Sequence, residues 1–198
     1  MRLPGSEKVI VGYDLGNKYA QISCYVTGSE EEIRTLSSVA GSSVYTIPLA
    51  LSKRQGVNQW FYGSEAIRYA GEEEGILVEN LLKLARDGEP VQIDGAPIDP
   101  VALLTLFLKR SLGLLSQVTN TERIGALMIT CEELDHRMLE VLTAATEGLH
   151  LKTDQICFQS HVESFYYYNL YQPEELWRHK TMLPYVPTAW NATGIPHL

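Results

Sequence analysis

The stretch Lys8-Val-Ile-Val-Gly-Tyr-Asp14, continued through Leu-Gly-Asn-Lys into Tyr19 to Val26, decides the fold. Its first run is apolar and closes on an acid and a glycine, which predicts a buried strand running into a tight turn. The second run is rich in Tyr, Ile, Cys and Val, and only four residues separate the two. So short a link makes the pair an antiparallel hairpin and excludes the βαβ start of a dinucleotide-binding fold.

Outward from the hairpin, Gly28 to Glu32 reads as a polar turn, and Arg34 to Ser38 and Tyr45 to Leu51 as further strands, with Pro48 marking an edge or strand end. Gln59 to Tyr62 is a short aromatic strand. Ser64 is the expected N-cap of a helix over Glu65 to Ala70. Val78 to Ala85 then reads as a helix with Leu81, Leu82 and Leu84 toward a core, stopped by Asp87-Gly88. Val91 to Ile93 and Pro97-Ile98 flank Asp94-Gly95, a hairpin turn in which both central residues tolerate positive φ. Asp99-Pro100 starts the longest helix, on which Val101, Leu104, Leu108, Leu112 and Leu115 recur at helical spacing. Beyond it come a buried strand at Ile124 to Thr130 and a helix from about Asp135 to Glu147, ended by Gly148. Strand-forming runs at Leu149 to Lys152 and Gln155 to Phe158 lead into an aromatic helix at His161 to Tyr171. An antiparallel meander followed by βα units is thus expected, an α/β chain with a mixed sheet flanked by helices. Pro173, Pro184, Pro187 and Pro196 break any long element afterwards, so 1–171 reads as one lobe and 172–198 as a tail of uncertain order.

The chain has 198 residues, 45% hydrophobic and 20% charged, enough to bury a substantial core. A net charge of −8 argues against phosphate backbones and anionic lipid as partners. No run approaches the roughly 20 apolar residues of a membrane span, and the first twelve residues carry no leader pattern, so the expected location is the cytoplasm. Cys24, Cys131 and Cys157 each sit in an apolar run and read as buried reduced thiols. The five histidines, His136, His150, His161, His179 and His197, show no paired ligand spacing and are assigned no chemistry. Ser160 and His161 are adjacent on a helix start and therefore point apart. Tyr166, Tyr167, Tyr168 and Tyr171 spread around a helix and read as packing residues rather than a base-stacking platform. Asn191-Ala-Thr193 matches a glycosylation sequon that a cytosolic chain does not use, and the acidic runs at 30–32 and 72–74 read as solvated surface.

This element order resembles the first lobe of the actin, sugar-kinase and heat-shock chaperone ATPase superfamily, a ribonuclease H-like fold. Asp14-Leu-Gly-Asn-Lys-Tyr-Ala-Gln-Ile22 looks like that superfamily's first phosphate motif. Ser43 to Leu51 and Tyr62-Gly-Ser-Glu-Ala66 are similar to the chaperone segments that follow it. Ala126 to Leu139 and Leu149 to Lys152 resemble the segment leading to the connecting helix. The likeness covers roughly 8–171. It implies ATP and Mg as ligands, with Asp14 holding magnesium through water, Gly16 admitting the phosphate, Asn17 donating a hydrogen bond and Lys18 neutralising charge.

Departures from the pattern bear on chemistry. Chaperone members have small hydroxyl residues where this chain has Asn17 and Lys18. An acidic residue expected at the start of the connecting helix aligns with Ser160, and Glu163 lies one turn on; a serine hydroxyl is too weak a base to replace a carboxylate. The lysine expected soon after Gly63 falls near Ile67 or Arg68, of which only Arg68 supplies charge. No second phosphate loop or adenosine pocket follows Tyr171, which leads to the expectation of a truncated or frame-shifted second lobe. Two functions follow: a nucleotide-binding lobe of a chaperone-like ATPase, weak or inactive alone, or a non-catalytic module on the same fold that binds a protein partner or a second copy of itself. A carbohydrate kinase ranks third, since no sugar-binding acid is evident.

Overall fold

The computed structural model describes residues 8–29, 32–39, 41–72, 75–117 and 124–171. The tail expected over 172–198, with its sequon, and most of the two acidic runs lie outside the described residues. The chain divides into two compact units, Met1–His161 and Val162–Leu198.

The first unit is mixed α/β. Strands β1 (Val9–Leu15) and β2 (Tyr19–Val26) form the expected hairpin, followed by β3 (Arg34–Thr35) and β4 (Ile47–Pro48), both paired with β2. A second sheet is made of β5 (Leu51–Arg54), β6 (Trp60–Tyr62) and β7 (Gly75–Val78), with helix α1 (Gly63–Glu72) between the last two. Helix α2 (Leu81–Asp87) and the hairpin of β8 (Val91–Ile93) and β9 (Ala96–Ile98) precede helix α3 (Pro100–Leu112). Strand β10 (Ile124–Cys131), helix α4 (His136–Glu147), strand β11 (Ile156–Ser160) and helix α5 (His161–Leu170) complete the described order. The main sheet runs β11-β10-β1-β2-β3, with β1 parallel to β10 and antiparallel to β2.

Register explains the core. Val11 pairs with Cys24 and Leu127, Tyr13 with Ile22 and Ile129, and Leu15 with Ala20 and Cys131. Strand β11 extends these rows through Ile156, Phe158 and Ser160. The nine residues of β1, β2 and β10 are all buried. Each large side chain so buried contributes about 1.5–3 kcal/mol. Leu103, Leu104, Phe107 and Leu108 of α3 and Val141, Leu142 and Ala145 of α4 belong to the same apolar cluster. One polar link crosses it: the Tyr13 hydroxyl lies 2.7 Å from Ser111 Oγ. The single Ser111 proton is directed at the Phe107 carbonyl, 2.8 Å away, so Tyr13 is the donor.

Several starts and stops follow the local chemistry. Asp99 accepts from the Val101 N–H ahead of Pro100, and Asp135 accepts from Met138 at the head of α4. Gly88 ends α2 with φ 77°, and Asp94 and Gly95 both have positive φ in their turn. Four expectations give way to tertiary pairing. Tyr45 to Leu51 is not one strand: Ile47–Pro48 joins β2, while Leu51 begins the middle strand of the second sheet. Val78 belongs to β7, opposite Leu51, and Asn80 at φ 55° separates that strand from α2. Helix α1 begins at Gly63, which places Ser64 in its first turn rather than ahead of it. Leu149 to Lys152 is turn and loop, since His150 at φ 57° reverses the chain before β11. The run Lys8 to Asp14 is buried on one face only, with Ile10, Gly12 and Asp14 exposed.

Burial holds the Tyr13 phenol far above its ordinary range, the Ser111 hydrogen bond opposing and Tyr62 adding to the shift. The folded state thus favours the neutral phenol, whereas an unfolded tyrosine ionises near pH ~10. This stabilisation is complete below that pH and is lost above it. Tyr13→Phe is expected to cost about 1 kcal/mol at pH 7, with a smaller loss than wild type between pH 9 and 11; urea midpoints across that range measure both. Ser52 Oγ is buried in the middle of the second sheet and has no hydrogen-bond partner among the described residues. Ser52→Ala is expected to be neutral or to stabilise by about 1 kcal/mol, read from the same denaturation curves.

Candidate functional site

Parallel strands β1, β10 and β11 end together, with Asp14 opposite Thr130 and Thr130 opposite Gln159. Side chains alternate along a strand, so this row lies on the face opposite the Tyr13 row. With Gln21 on β2 it reads Gln21, Asp14, Thr130, Gln159, polar throughout. The chain leaves β1 through Gly16, Asn17 and Lys18, leaves β10 through Glu132 to Asp135, and leaves β11 at His161. Three departures at one sheet edge gather polar side chains from distant parts of the sequence.

Asp14 Oδ1 accepts two hydrogen bonds, from Thr130 Oγ1 at 3.1 Å and from His161 Nε2 at 2.6 Å. The ring nitrogen facing the carboxylate is the protonated one, because an ionised carboxylate has no proton to give. Both groups remain accessible: the His161 side chain is 38% and the Asp14 side chain 53% exposed. Asn17 Nδ2 donates to Glu132 Oε2 at 3.0 Å, tying the β1–β2 turn to the end of β10. The Gly16 N–H donates to the Tyr19 carbonyl at 2.9 Å. A Cβ at Gly16 would come within 3.0 Å of that carbonyl oxygen, so a side chain there would crowd the bond that closes the turn. Lys18 accepts at its carbonyl from the Leu49 N–H at 2.7 Å, and its residue is exposed.

Beside this cluster, Arg86 of α2 pairs with Glu133 at 2.9 Å and with Asp135, and Arg137 donates to the Arg86 carbonyl at 3.2 Å. A cavity of about 150 Å³ lies among Leu15, Asn17, Leu82, Arg86, Cys131 and Glu132. The Cys131 thiol inside it is fully buried. Burial first, then the negative charges of Asp135 and Asp14, push it up to about 11, with Arg86 opposing. A thiol held that far above neutrality is a poor nucleophile at pH 7.

The four residues expected at a phosphate loop therefore lie together at one turn, where Asp14, Gly16 and Asn17 each bond to protein groups and Lys18 is exposed. The Gly16 N–H, which a phosphate oxygen would need, is directed at Tyr19. The Asn17 amide is held by a carboxylate, and Asp14 carries an imidazole. Among the described residues no group of three or more His, Cys, Asp and Glu is arranged to hold a metal ion. Asp14, Glu132, Glu133 and Asp135 make the neighbourhood acidic, and Arg86 is already paired to two of them. These residues, as bonded here, do not fit a magnesium–nucleotide complex.

His161, to which sequence spacing assigns no chemistry, is the group in contact with Asp14, 147 positions away. Thr130 and Glu132 were likewise unmarked. The available signal was topological: parallel strands place the residues that follow them at one edge. Ser160 ends β11 opposite Cys131, in a row of the buried face. Arg68 is exposed, pairs with Glu65 at 3.9 Å, and lines a separate groove of about 410 Å³ with Tyr62 and Ser64. Among the described residues no helix is long and apolar enough to cross a membrane.

The fold and this sheet edge define a mixed α/β domain with a polar, internally bonded cluster at the carboxyl ends of its parallel strands. The chain belongs to the family of unknown function DUF5716, whose C-terminal portion matches residues 32–188. No curated protein matches the chain. The matched span includes Thr130, Glu132 and His161 and begins after the β1–β2 hairpin that carries Asp14 and Asn17.

Cys24 and Cys131 are buried as expected, but Cys157, expected to be buried too, sits on the exposed face of β11, which leads to a graded thiol reactivity. In the native chain at pH 8, a thiol-labelling reagent is expected to modify Cys157 quickly, while Cys24 and Cys131 react only after unfolding. Mass spectrometry of the labelled peptides reads the order; early labelling at Cys131 would contradict the burial described above.

Proposed function

We propose that this chain is a first lobe of actin type, ribonuclease H-like in its sheet, that acts as a non-catalytic protein-interaction module. Support for the fold comes from the order of elements: a hairpin with an acid at its turn, short meander strands, a long helix, then strand, helix, strand, helix, with β1 lying between its hairpin partner and the later parallel strand. The observation that carries the functional reading is the closed turn, in which Gly16, Asn17 and Asp14 are all bonded to protein groups. Helix α5 gives secondary support for an interaction role. None of its residues is buried, and Phe165, Tyr167, Tyr168 and Leu170 are each about half exposed or more. The partner class is protein, either a different chain or a second copy.

A nucleotide-binding lobe is the second reading, favoured by one specific observation. Lys18 and Asn17 are exposed at the carboxyl end of β1, the edge at which α/β sheets commonly receive phosphates. In that reading the ligands are ATP and Mg, and binding requires the turn to open.

Calorimetric titration with ATP and magnesium, in wild type and Asp14→Ala, separates the two. The interaction-module reading expects no saturable heat at millimolar ATP in either protein. Saturable, magnesium-dependent binding that Asp14→Ala abolishes would overturn it in favour of the nucleotide-binding lobe.

A further inference from the structure

The main sheet has one covered face and one open face. Val9, Val11, Tyr13 and Leu15 of β1 belong to the apolar cluster, whereas Ile10 is 39% exposed and Gly12 and Asp14 are exposed, although β1 lies in the middle of the sheet. Three adjacent strands, β11, β10 and β1, run parallel. Parallel strands are ordinarily covered on both faces, since the crossovers that join them place a layer on each side.

Gly12 sits at the centre of the open face. A glycine inside a strand costs conformational entropy and packs nothing. The backbone at Gly12 is not left-handed, and among the described residues a Cβ there would meet nothing nearer than the Ser23 carbonyl oxygen at 4.0 Å. A mid-strand glycine with open space above it suits close approach by another backbone or side chain from outside.

The residues around Gly12 are complementary to themselves. By alternation from buried Val9, the open face of β1 reads Lys8, Ile10, Gly12, Asp14, with Lys8 exposed at its far end. Register sets Tyr25 and Ala126 beside Ile10, and Ser23 and Met128 beside Gly12. Each of β2, β1 and β10 thus carries one bulky and one small residue at these two levels. A two-fold axis lying across the strands at the level of Val11 reverses every strand over its own copy, and bulky then meets small in all three. Face-to-face sheets sit about 10 Å apart, a gap that a bulky residue over a small one fills and two bulky residues would force wider. The same axis brings Lys8 over Asp14 of the second copy at both ends. Within one chain these two lie roughly 20 Å apart along β1 and cannot meet. Asp14 can receive the lysine, because the Thr130 and His161 bonds both fall on Oδ1 and the side chain is 53% exposed.

We infer that the open sheet face is a self-association surface, on which two copies pack about a two-fold axis at Val11, Ile10 of each over Gly12 of the other and Lys8 of each paired with Asp14 of the other. The inference rests on the interaction-module reading and names its partner as a second copy of this chain. Cys157, on edge strand β11, stays at the rim.

Sedimentation equilibrium of the full chain across the micromolar range reads the association, with circular dichroism as the check on folding. Wild type is expected to be a concentration-dependent dimer. Gly12→Leu, which has room in its own chain, is expected to stay folded and to weaken the dimer roughly tenfold or more by overfilling the contact. Lys8→Asp is expected to weaken it roughly 2- to 30-fold, the worth of two exposed ion pairs, and adding Asp14→Lys to recover it. Ile10→Ala, which removes the bulky residue, is the second variant should a charge change unfold the chain. A monomeric wild type would overturn the inference, as would a dimer that folded Gly12→Leu leaves unchanged. Either result leaves the interaction-module reading with another partner or surface, whereas magnesium-dependent ATP binding that Asp14→Ala abolishes strikes that reading itself.

Discussion

Strand β1 must satisfy neighbours on both edges and a helical layer on one face, and this constraint organises everything else. Its alternation is strict: Val9, Val11, Tyr13 and Leu15 are buried while Ile10, Gly12 and Asp14 are exposed. A shift of register by one residue would exchange the two sets and place the Asp14 carboxylate in the apolar cluster. The parity that buries Tyr13 against Ser111 is therefore the parity that presents Asp14 to Thr130 and His161. Core and site cannot be varied independently along this strand. A substitution that loosens the Tyr13 row also moves the acid one residue away.

What could be read from the amino acids alone divides along the range of the interactions. Caps and turns are local, so Asp99-Pro100, Asp135, Gly88 and Asp94-Gly95 were legible, as was the β1–β2 hairpin from its four-residue link. Strand β7 was not, because Gly75 to Val78 becomes a strand only by lying against β5. Tyr45 to Leu51 looked continuous because nothing in its composition says that its two ends serve different sheets. Leu149 to Lys152 has apolar content fit for a strand, and the left-handed backbone at His150 overrides it. In the cluster at the sheet edge, Asp14, Gly16, Asn17 and Lys18 were visible as a motif. Their partners Thr130, Glu132 and His161 were not, since each comes from a departure point that only the assembled sheet brings near.

The acidic character of that edge changes how its motif should be understood. A phosphate-binding turn works by presenting N–H groups with nothing else to bond. In this chain the donors of the turn close on Tyr19 and Glu132, and the charge around them is mostly negative. The turn is then a strut joining β1, β2 and β10. Arg86, bridging α2 to the loop after β10 through Glu133 and Asp135, repeats the arrangement on the neighbouring side. Both are exposed ion or amide contacts, individually modest, whose value lies in fixing loop positions rather than in bulk stability.

The parallel pairing of β1 with β10 joins residues that lie 116 positions apart, as Asp14 and Thr130 do. During synthesis at ~5–20 residues per second, roughly 6 to 23 seconds pass between the appearance of one strand and of its partner. For that interval the β1–β2 hairpin stands on the ribosome with one edge of β1 open, its N–H and C=O groups unpaired beside a row of valine, tyrosine and leucine. Such an edge accepts any extended strand that arrives first. Productive folding of this domain in the cell is thus a race between elongation and misplaced pairing, and slow translation through the segment between Leu15 and Ile124 would favour the wrong contestant.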